Sequence, residues 1–150
     1  MTWTVPREDM IAALLQYPIA FIVVSHGLVY LIFGAMSITK TGFPQVYGPW
    51  KGRSIALGQA IQRDSLKSLT EALWLLAGVG LIIGGAAIGV SSLLPGYWRP
   101  ICVCASIAGV TSFAVFWDGQ VEQFANQGGV GMIISLAIIA GSVLFPIAFA

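Results

Sequence analysis

His26 is the only histidine of the chain, and it lies near the middle of an uncharged stretch that begins at Ile11. Polar side chains at such a depth in an apolar helix are costly and are commonly functional. Tyr30 follows four residues later and Gln16 precedes by ten, so all three can share one side of a helix. The spacing predicts that His26 and Tyr30 contact a quinone or a haem, or form a proton relay. The structural alternative is a neutral His26 hydrogen-bonded to a neighbouring helix.

Other ligands for a metal or a haem are scarce in the sequence. A single histidine supplies neither two axial imidazoles for a haem nor a multi-histidine metal site within one chain. Cys102 and Cys104 form a C-x-C pair whose side chains point in nearly opposite directions on a regular helix, which disfavours a disulfide between them. The sequence therefore predicts no metal site and no catalytic residue, and it assigns the two cysteines to apolar packing.

The densest polar cluster outside the first loop follows Trp117. Two carboxylates in it would lie one turn apart on a continued helix, where they can bind a cation or pair with basic residues of the first loop. We predict a structural charge cluster rather than a catalytic one. Its members are Arg53, Arg63, Lys67, Asp118 and Glu122.

The composition indicates which solvent surrounds these residues. Of the 150 residues, 57% are hydrophobic and only 9% are charged, whereas soluble domains contain about 25% charged residues. The net charge of +1 provides no basic surface for nucleic acid. These values exclude an ordinary cytoplasmic domain, a disordered tail and a nucleic-acid-binding protein, and they indicate a chain surrounded by membrane lipids.

Four nearly uncharged stretches approach the roughly 20 residues that a helix needs to cross the hydrocarbon core. The alternating ten-residue blocks of a membrane β-barrel are absent from the sequence. The sequence thus predicts an all-α polytopic membrane protein, a single domain built as a four-transmembrane-helix bundle. The predicted helices cover residues 11–38, 69–94, 101–117 and 130–150, and a long loop covers 39–68.

The orientation follows from Lys and Arg in the short loops, which favour the cytoplasmic side. The first loop carries five such residues, whereas Arg7 and Arg99 are the two on the opposite side. We therefore expect cytoplasmic first and third loops that form one cap, and both termini outside. The expected location is the cytoplasmic membrane of a prokaryote.

Glycine provides the packing signal within the membrane. In lipid, burial of apolar surface does not drive helix association, so close backbone contact must do so. The second stretch contains the small-xxx-small pairs Gly80/Gly84 and Gly85/Gly89, and Gly27 lies in the first. We predict tight packing within the chain. Docking of other membrane subunits, or of a second copy, on a glycine-rich face is the alternative.

Three features together resemble the DoxX-like group of small four-helix membrane proteins. They are the sequence SHGLVYLIFG at 25–34, a long first loop followed by three closely spaced helices, and WDG at 117–119 followed by QGGVG at 127–131. The resemblance implies association with quinone-linked sulfur oxidation or with complexes that handle thiols and oxidants. His26 is the residue of the resembling stretch with chemistry to offer, whereas the C-x-C pair departs from a redox dithiol motif.

Three functional hypotheses follow from the sequence. The first is an accessory or structural subunit of a larger redox or energy-transducing membrane complex, with no intrinsic catalytic activity. The second is a quinone-linked oxidoreductase component in which His26 and Tyr30 contact the headgroup. A small transporter ranks last, because paired charges on broken helices at mid-membrane are missing from the sequence. A lipid or a quinone is the expected ligand, and the chain has no complete haem or metal site.

Overall fold

A computed structural model describes residues 7–38, 54–57, 61–90 and 92–144 of the chain. Across these residues the protein is all-helical, which confirms the predicted fold class. A short 3-10 helix, Val121–Gln123, precedes the last α-helix. The α-helices are α1 (Arg7–Ile38), α2 (Arg63–Gly89), α3 (Trp98–Phe116) and α4 (Gly129–Leu144).

Three of these helices are long and apolar enough to cross a membrane. The apolar segments are Leu14–Met36 in α1, Asp64–Gly89 in α2 and the whole of α3. Helix α4 is apolar but shorter, with 16 residues that rise about 24 Å against a hydrocarbon core of roughly 30 Å. The predicted fourth span includes residues 145–150, which lie outside the described residues. The chain is a membrane protein.

The helix bounds differ from the predicted ones mainly at α2. This helix begins at Arg63 rather than near Leu69, so the last six residues of the predicted loop belong to it. It ends at Gly89, five residues before the predicted end, and Gly96 in the following turn has a φ of +76°, a conformation that favours glycine. Helix α1 continues through Pro18, which removes one backbone hydrogen bond of the helix.

Successive helices pack against each other, so that α2 and α3 form the centre of the bundle. Buried side chains of this centre include Leu81 and Ile88 of α2 and Cys102 and Phe116 of α3. Helices α1 and α4 touch each other much less, which leaves a cleft between them. We call the end where α1 begins and α4 finishes the terminal end, and the opposite end the loop end.

Glycines bring the backbones of α1 and α2 together. A Cβ placed on Gly27 would lie 2.8 Å from the carbonyl oxygen of Gly78, too close for any side chain. A Cβ on Gly85 would lie 2.7 Å from a methyl group of Val24, also on α1. These contacts are made within the chain, as the predicted tight packing requires.

The other glycine pair of α2 faces α3. A Cβ on Gly80 would lie 2.6 Å from the Cβ of Ala105, and one on Gly84 would lie 2.5 Å from the Cys102 sulfur. The glycines of α2 therefore serve two faces, one towards α1 and one towards α3. Such close approach gives α2 dispersion contacts on both sides, which is the main source of helix association in lipid.

The first loop returns to the bundle at the loop end. The backbone N–H of Ile55 donates to the carbonyl oxygen of Trp117 at 3.0 Å. The Ser54 hydroxyl donates to the carbonyl oxygen of Ala114 at 3.4 Å. The described part of the first loop thus packs on the start of the third loop. Most of the first loop lies outside the described residues, so the predicted cap stays a prediction.

Candidate functional site

Three buried polar side chains meet between α1 and α4 at mid-membrane depth. Nε2 of His26 and the hydroxyl of Tyr30, both on α1, are each hydrogen-bonded to the Ser135 hydroxyl of α4 at 3.1 Å. His26 is 6% exposed, Tyr30 is 5% exposed and Ser135 is fully buried. Because His26 lies near the centre of the apolar segment of α1, this group lies where water is scarce and hydrogen bonds are strong.

The local sequence explains why the two α1 side chains reach the same serine. Residues four apart lie on one face of a helix, and the His26 and Tyr30 rings meet edge to face with centroids 4.8 Å apart. Gly109 of α3 leaves room for them. A Cβ on Gly109 would lie 2.5 Å from the Tyr30 hydroxyl and 2.9 Å from the Ser135 hydroxyl.

A cavity of about 290 Å³ lies beside this polar group, on its loop-end side. All four helices and the third loop contribute to its wall, which combines aromatic rings with a few polar groups. We call it the head cavity. Residues that line it include His26, Tyr30, Phe33, Trp74, Ser112, Phe113, Gln127 and Ile134.

Gln127 connects the head cavity to a buried carboxylate. Its side-chain amide donates to Oδ1 of Asp118 at 3.1 Å, and its amide oxygen accepts the Asp118 backbone N–H at 3.3 Å. The Gln120 side chain donates to the other carboxylate oxygen of Asp118 at 2.7 Å. Asp118 is only 4% exposed, so these amides replace water around its carboxylate.

Aromatic side chains cover the loop end of the head cavity. Phe113 stacks on Trp117 with centroids 5.5 Å apart and meets Phe124 edge to face at 5.3 Å. Gly129 is the first residue of α4, and a Cβ there would overlap the Phe124 ring. Gly128, with a φ of +94°, makes the turn that brings the third loop over the cavity.

A second cavity of about 280 Å³ lies between α1 and α4 towards the terminal end. Its wall is almost wholly apolar, and residues on its rim such as Ile22 and Ala137 are exposed at the helix surface. We call it the tail groove. Residues that line it include Ile19, Ile22, Val23, Ile134, Ala137, Ile138 and Gly141.

The structure brings some of the singled-out residues together and separates others. His26 and Tyr30 form one site, but Gln16 lies at the terminal end. There its side-chain amide donates to the carbonyl oxygen of Ile88 at 2.6 Å and so satisfies an unpaired group at the end of α2. Gln16 therefore belongs to the α1–α2 contact and not to the site.

The predicted charge cluster is described only in part. Lys67 forms an ion pair with Glu71 of its own helix at 3.5 Å, the pair expected from a spacing of four. Asp118 is buried at the loop end, and Glu122 is exposed. Arg53 and the side chain of Arg63 lie outside the described residues, so their pairing with the acidic residues stays a prediction.

Sequence reasoning missed Ser135 and Gly109. A lone serine in an apolar helix usually bonds back to its own backbone, so nothing in the sequence marks Ser135 as the partner of two α1 side chains. Gln127 was part of the polar stretch that the sequence singled out, but its burial was not foreseen. In the described residues, no group of three His, Cys, Asp or Glu side chains is placed to hold a metal ion.

We compared the chain with models of protein families, with curated protein sequences and with solved structures, and none of the three comparisons finds a match. The resemblance to the DoxX-like group therefore stays a prediction from the sequence pattern.

Proposed function

We propose that this membrane protein binds the ring of a quinone in the head cavity, as a subunit of a larger redox complex. The observation that carries the proposal is the convergence of His26, Tyr30 and Ser135 in hydrogen bonds at the wall of a cavity between α1 and α4. Polar side chains kept at this depth in a membrane commonly serve a ligand or a proton.

The walls of the head cavity suit a quinone ring. Such a ring is planar and apolar on its faces, and it carries carbonyl oxygens at its edge. Phe33, Trp74 and Phe113 offer apolar and aromatic surface, while the Tyr30 hydroxyl beside His26 can donate a hydrogen bond to a carbonyl oxygen. Ligand sites are generally apolar with a few well-placed polar groups, as this one is.

The size of the cavity favours a quinone over a haem. Ligand pockets generally measure roughly 300–1,000 Å³, so a cavity of about 290 Å³ is small and suits a single ring system. The four linked pyrrole rings of a haem need much more room. Of the two ligands that the sequence left open for His26, the quinone fits the cavity better.

The chemistry assigned to the chain is binding and proton handling. A quinone takes up two electrons and two protons on reduction, and in this proposal a partner subunit supplies the electrons. Tyr30 can hold a carbonyl oxygen and pass a proton to it, and His26 can return a proton to Tyr30 through the Ser135 hydroxyl. Ser135 fixes the positions of both side chains from the opposite helix, and the buried setting excludes competing water.

The resemblance to the DoxX-like group supports the same assignment, since it implies quinone-linked partners. As part of the proposal, the complex lies in the cytoplasmic membrane of a prokaryote with the first and third loops inside. Labelling of cysteines introduced near Arg53 and Arg99 from either side of sealed vesicles checks this orientation. Labelling near Arg53 from outside would reverse it.

Quinone binding can be measured directly on the purified protein in detergent. Trp74 lines the head cavity, so a short-chain benzoquinone bound there should quench tryptophan fluorescence in a saturable manner. Loss of one hydrogen bond in Tyr30→Phe should weaken binding by about threefold to tenfold. The matched control is Leu28→Ala, a change on the exposed face of the same helix. Quenching that does not saturate, or equal affinities for the two variants, would refute the proposal.

A further inference from the structure

The same faces of α1 and α4 contribute to the walls of both the head cavity and the tail groove. On α1 the lining residues recur at intervals of three or four positions, and they are Ile19, Ile22, Val23, His26, Val29, Tyr30 and Phe33. On α4 the series is Val130, Gly131, Ile134, Ala137, Ile138 and Gly141. This spacing defines one stripe on each helix. Ile134 belongs to the wall of both cavities, so they adjoin at that side chain.

We infer that the two cavities are halves of one cleft, and that the tail groove binds the isoprenoid chain of a quinone whose ring lies in the head cavity. The inference rests on the proposed function and narrows its ligand to a lipid-soluble quinone with a prenyl tail. The α1 stripe from Ile19 to Phe33 spans about 21 Å at 1.5 Å per residue, which leaves room for several prenyl units beyond a ring.

The chemistry of the groove matches a branched hydrocarbon chain. Its described lining consists mainly of Ile, Val and Ala, and no Lys, Arg, Asp or Glu is among the described residues that line either cavity. An uncharged ligand with a polar ring and an apolar tail therefore finds a matching surface along the whole cleft. The exposed rim at Ile22 and Ala137 gives the tail a way in from the surrounding lipid.

A phospholipid is the competing occupant of the groove. Arg99 lies over the Trp98 ring with its guanidinium carbon 5.2 Å from the ring centroid, and Trp98 lines the groove at the terminal end. A phospholipid would place its phosphate near Arg99 and one acyl chain in the groove. Continuity of the groove with the head cavity favours the quinone, because a phospholipid bound in that way leaves the polar half of the cleft unused.

Affinity alone is a weak measure of tail binding. A prenyl chain that moves from lipid into the groove leaves one apolar environment for another, so the hydrophobic effect contributes little. The position of the tail is the sharper observable. A benzoquinone that carries a diazirine at the end of a short prenyl chain can be bound to the full protein in detergent, photolysed, and mapped by mass spectrometry.

We expect the diazirine to label residues of the two stripes near Ile22, Ala137 and Ile138, and an excess of unlabelled prenyl quinone to abolish the labelling. Gly141→Leu should also abolish it. A Cβ at Gly141 meets no described atom within 4 Å, so a larger side chain has room to begin there and to extend into the groove. Ala140→Leu places the same side chain on the exposed face of α4 and should leave the labelling unchanged.

Two results would overturn the inference. One is labelling confined to lipid-facing side chains such as Leu28 and Ile133, with no effect of Gly141→Leu. The other is equal labelling of the groove by a phosphatidylcholine with a diazirine in its acyl chain, resistant to prenyl quinone and lost in Arg99→Gln. If the short-chain quinone still binds in a Tyr30-dependent manner, only the tail assignment fails. If it does not bind at all, the proposed function fails as well.

Discussion

Helix α1 is packed by different means on its two sides. Against α2 it makes backbone contact, and Gly27 and Gly78 exclude any side chain at the closest point. Against α4 it makes hydrogen bonds across a cleft, through His26, Tyr30 and Ser135. In lipid, close packing holds helices together most effectively where side chains are absent. The side that lacks such packing is the one with room for a ligand.

The largest expected effect on stability comes from a side chain introduced into the close α1–α2 contact. Gly27→Leu forces a side chain against the backbone of Gly78, and overpacking of this kind costs about 1–3 kcal/mol or somewhat more. We expect the apparent melting temperature in detergent to fall sharply. Gly141→Leu is the matched control, because its side chain enters open space. Equal melting temperatures for the two variants would mean that the α1–α2 contact is not tight in solution.

The hydrogen-bonded contact between α1 and α4 is removed most directly by a change at Ser135. Ser135→Ala removes the shared partner of His26 and Tyr30, and the loss should lower the free energy of unfolding by about 1–3 kcal/mol. The control is Ser106→Ala, because the Ser106 hydroxyl is equally buried but has no hydrogen-bond partner among the described residues. That change should be neutral or slightly stabilising. If both variants unfold alike in a denaturant titration, the hydrogen bonds contribute no stability.

Gln16 provides the polar contact on the tight side of α1. Gln16→Met keeps the length of the side chain and removes the hydrogen bond to the Ile88 carbonyl, which should cost about 1 kcal/mol. Hydrogen exchange should increase at the last turn of α2 and not at its middle. Tyr17→Phe, on the exposed neighbouring position, controls for a general effect on α1. Uniform exchange along α2 would contradict a role for Gln16 at the helix end.

The smallest effect on stability is expected at an ion pair on α2 that lies outside the contacts of α1 with α2 and α4. Lys67 and Glu71 form an i,i+4 pair that is partly exposed, and such pairs contribute about 0.3–0.5 kcal/mol. Lys67→Met should therefore change the melting temperature slightly at low salt and not at high salt. A loss of stability as large as that of Ser135→Ala would show that Lys67 also stabilises contacts outside its own helix.

Much of the fold could be predicted from the sequence because its signals are local. A lack of charge over about 20 residues indicates a membrane helix wherever it occurs, and the glycine pairs of α2 indicate close approach without naming the neighbour. His26 and Tyr30 were found in the same way, from their depth and their spacing of four.

The rest of the site depends on residues far apart in the chain. Ser135 lies more than 100 residues beyond His26, and one serine in an apolar helix gives no sign of the helix that it will face. Gln127 and Asp118 are close in sequence, yet the sequence favoured basic partners for Asp118. In the described residues its carboxylate accepts hydrogen bonds from the side-chain amides of Gln127 and Gln120, because the third loop folds back over the end of α3, and its pairing with Arg53 or Arg63 stays a prediction.

By itself the sequence determined that the chain is a helical membrane protein, that α2 packs closely, and that His26 is a polar residue near the middle of an apolar helix. Each of these depends on composition or on spacing within one helix. Only the tertiary structure decided that α1 meets α2 tightly and α4 loosely, and that Ser135 joins His26 and Tyr30 beside a cavity. Packing between helices in lipid depends on which faces meet, and no single helix specifies its neighbour.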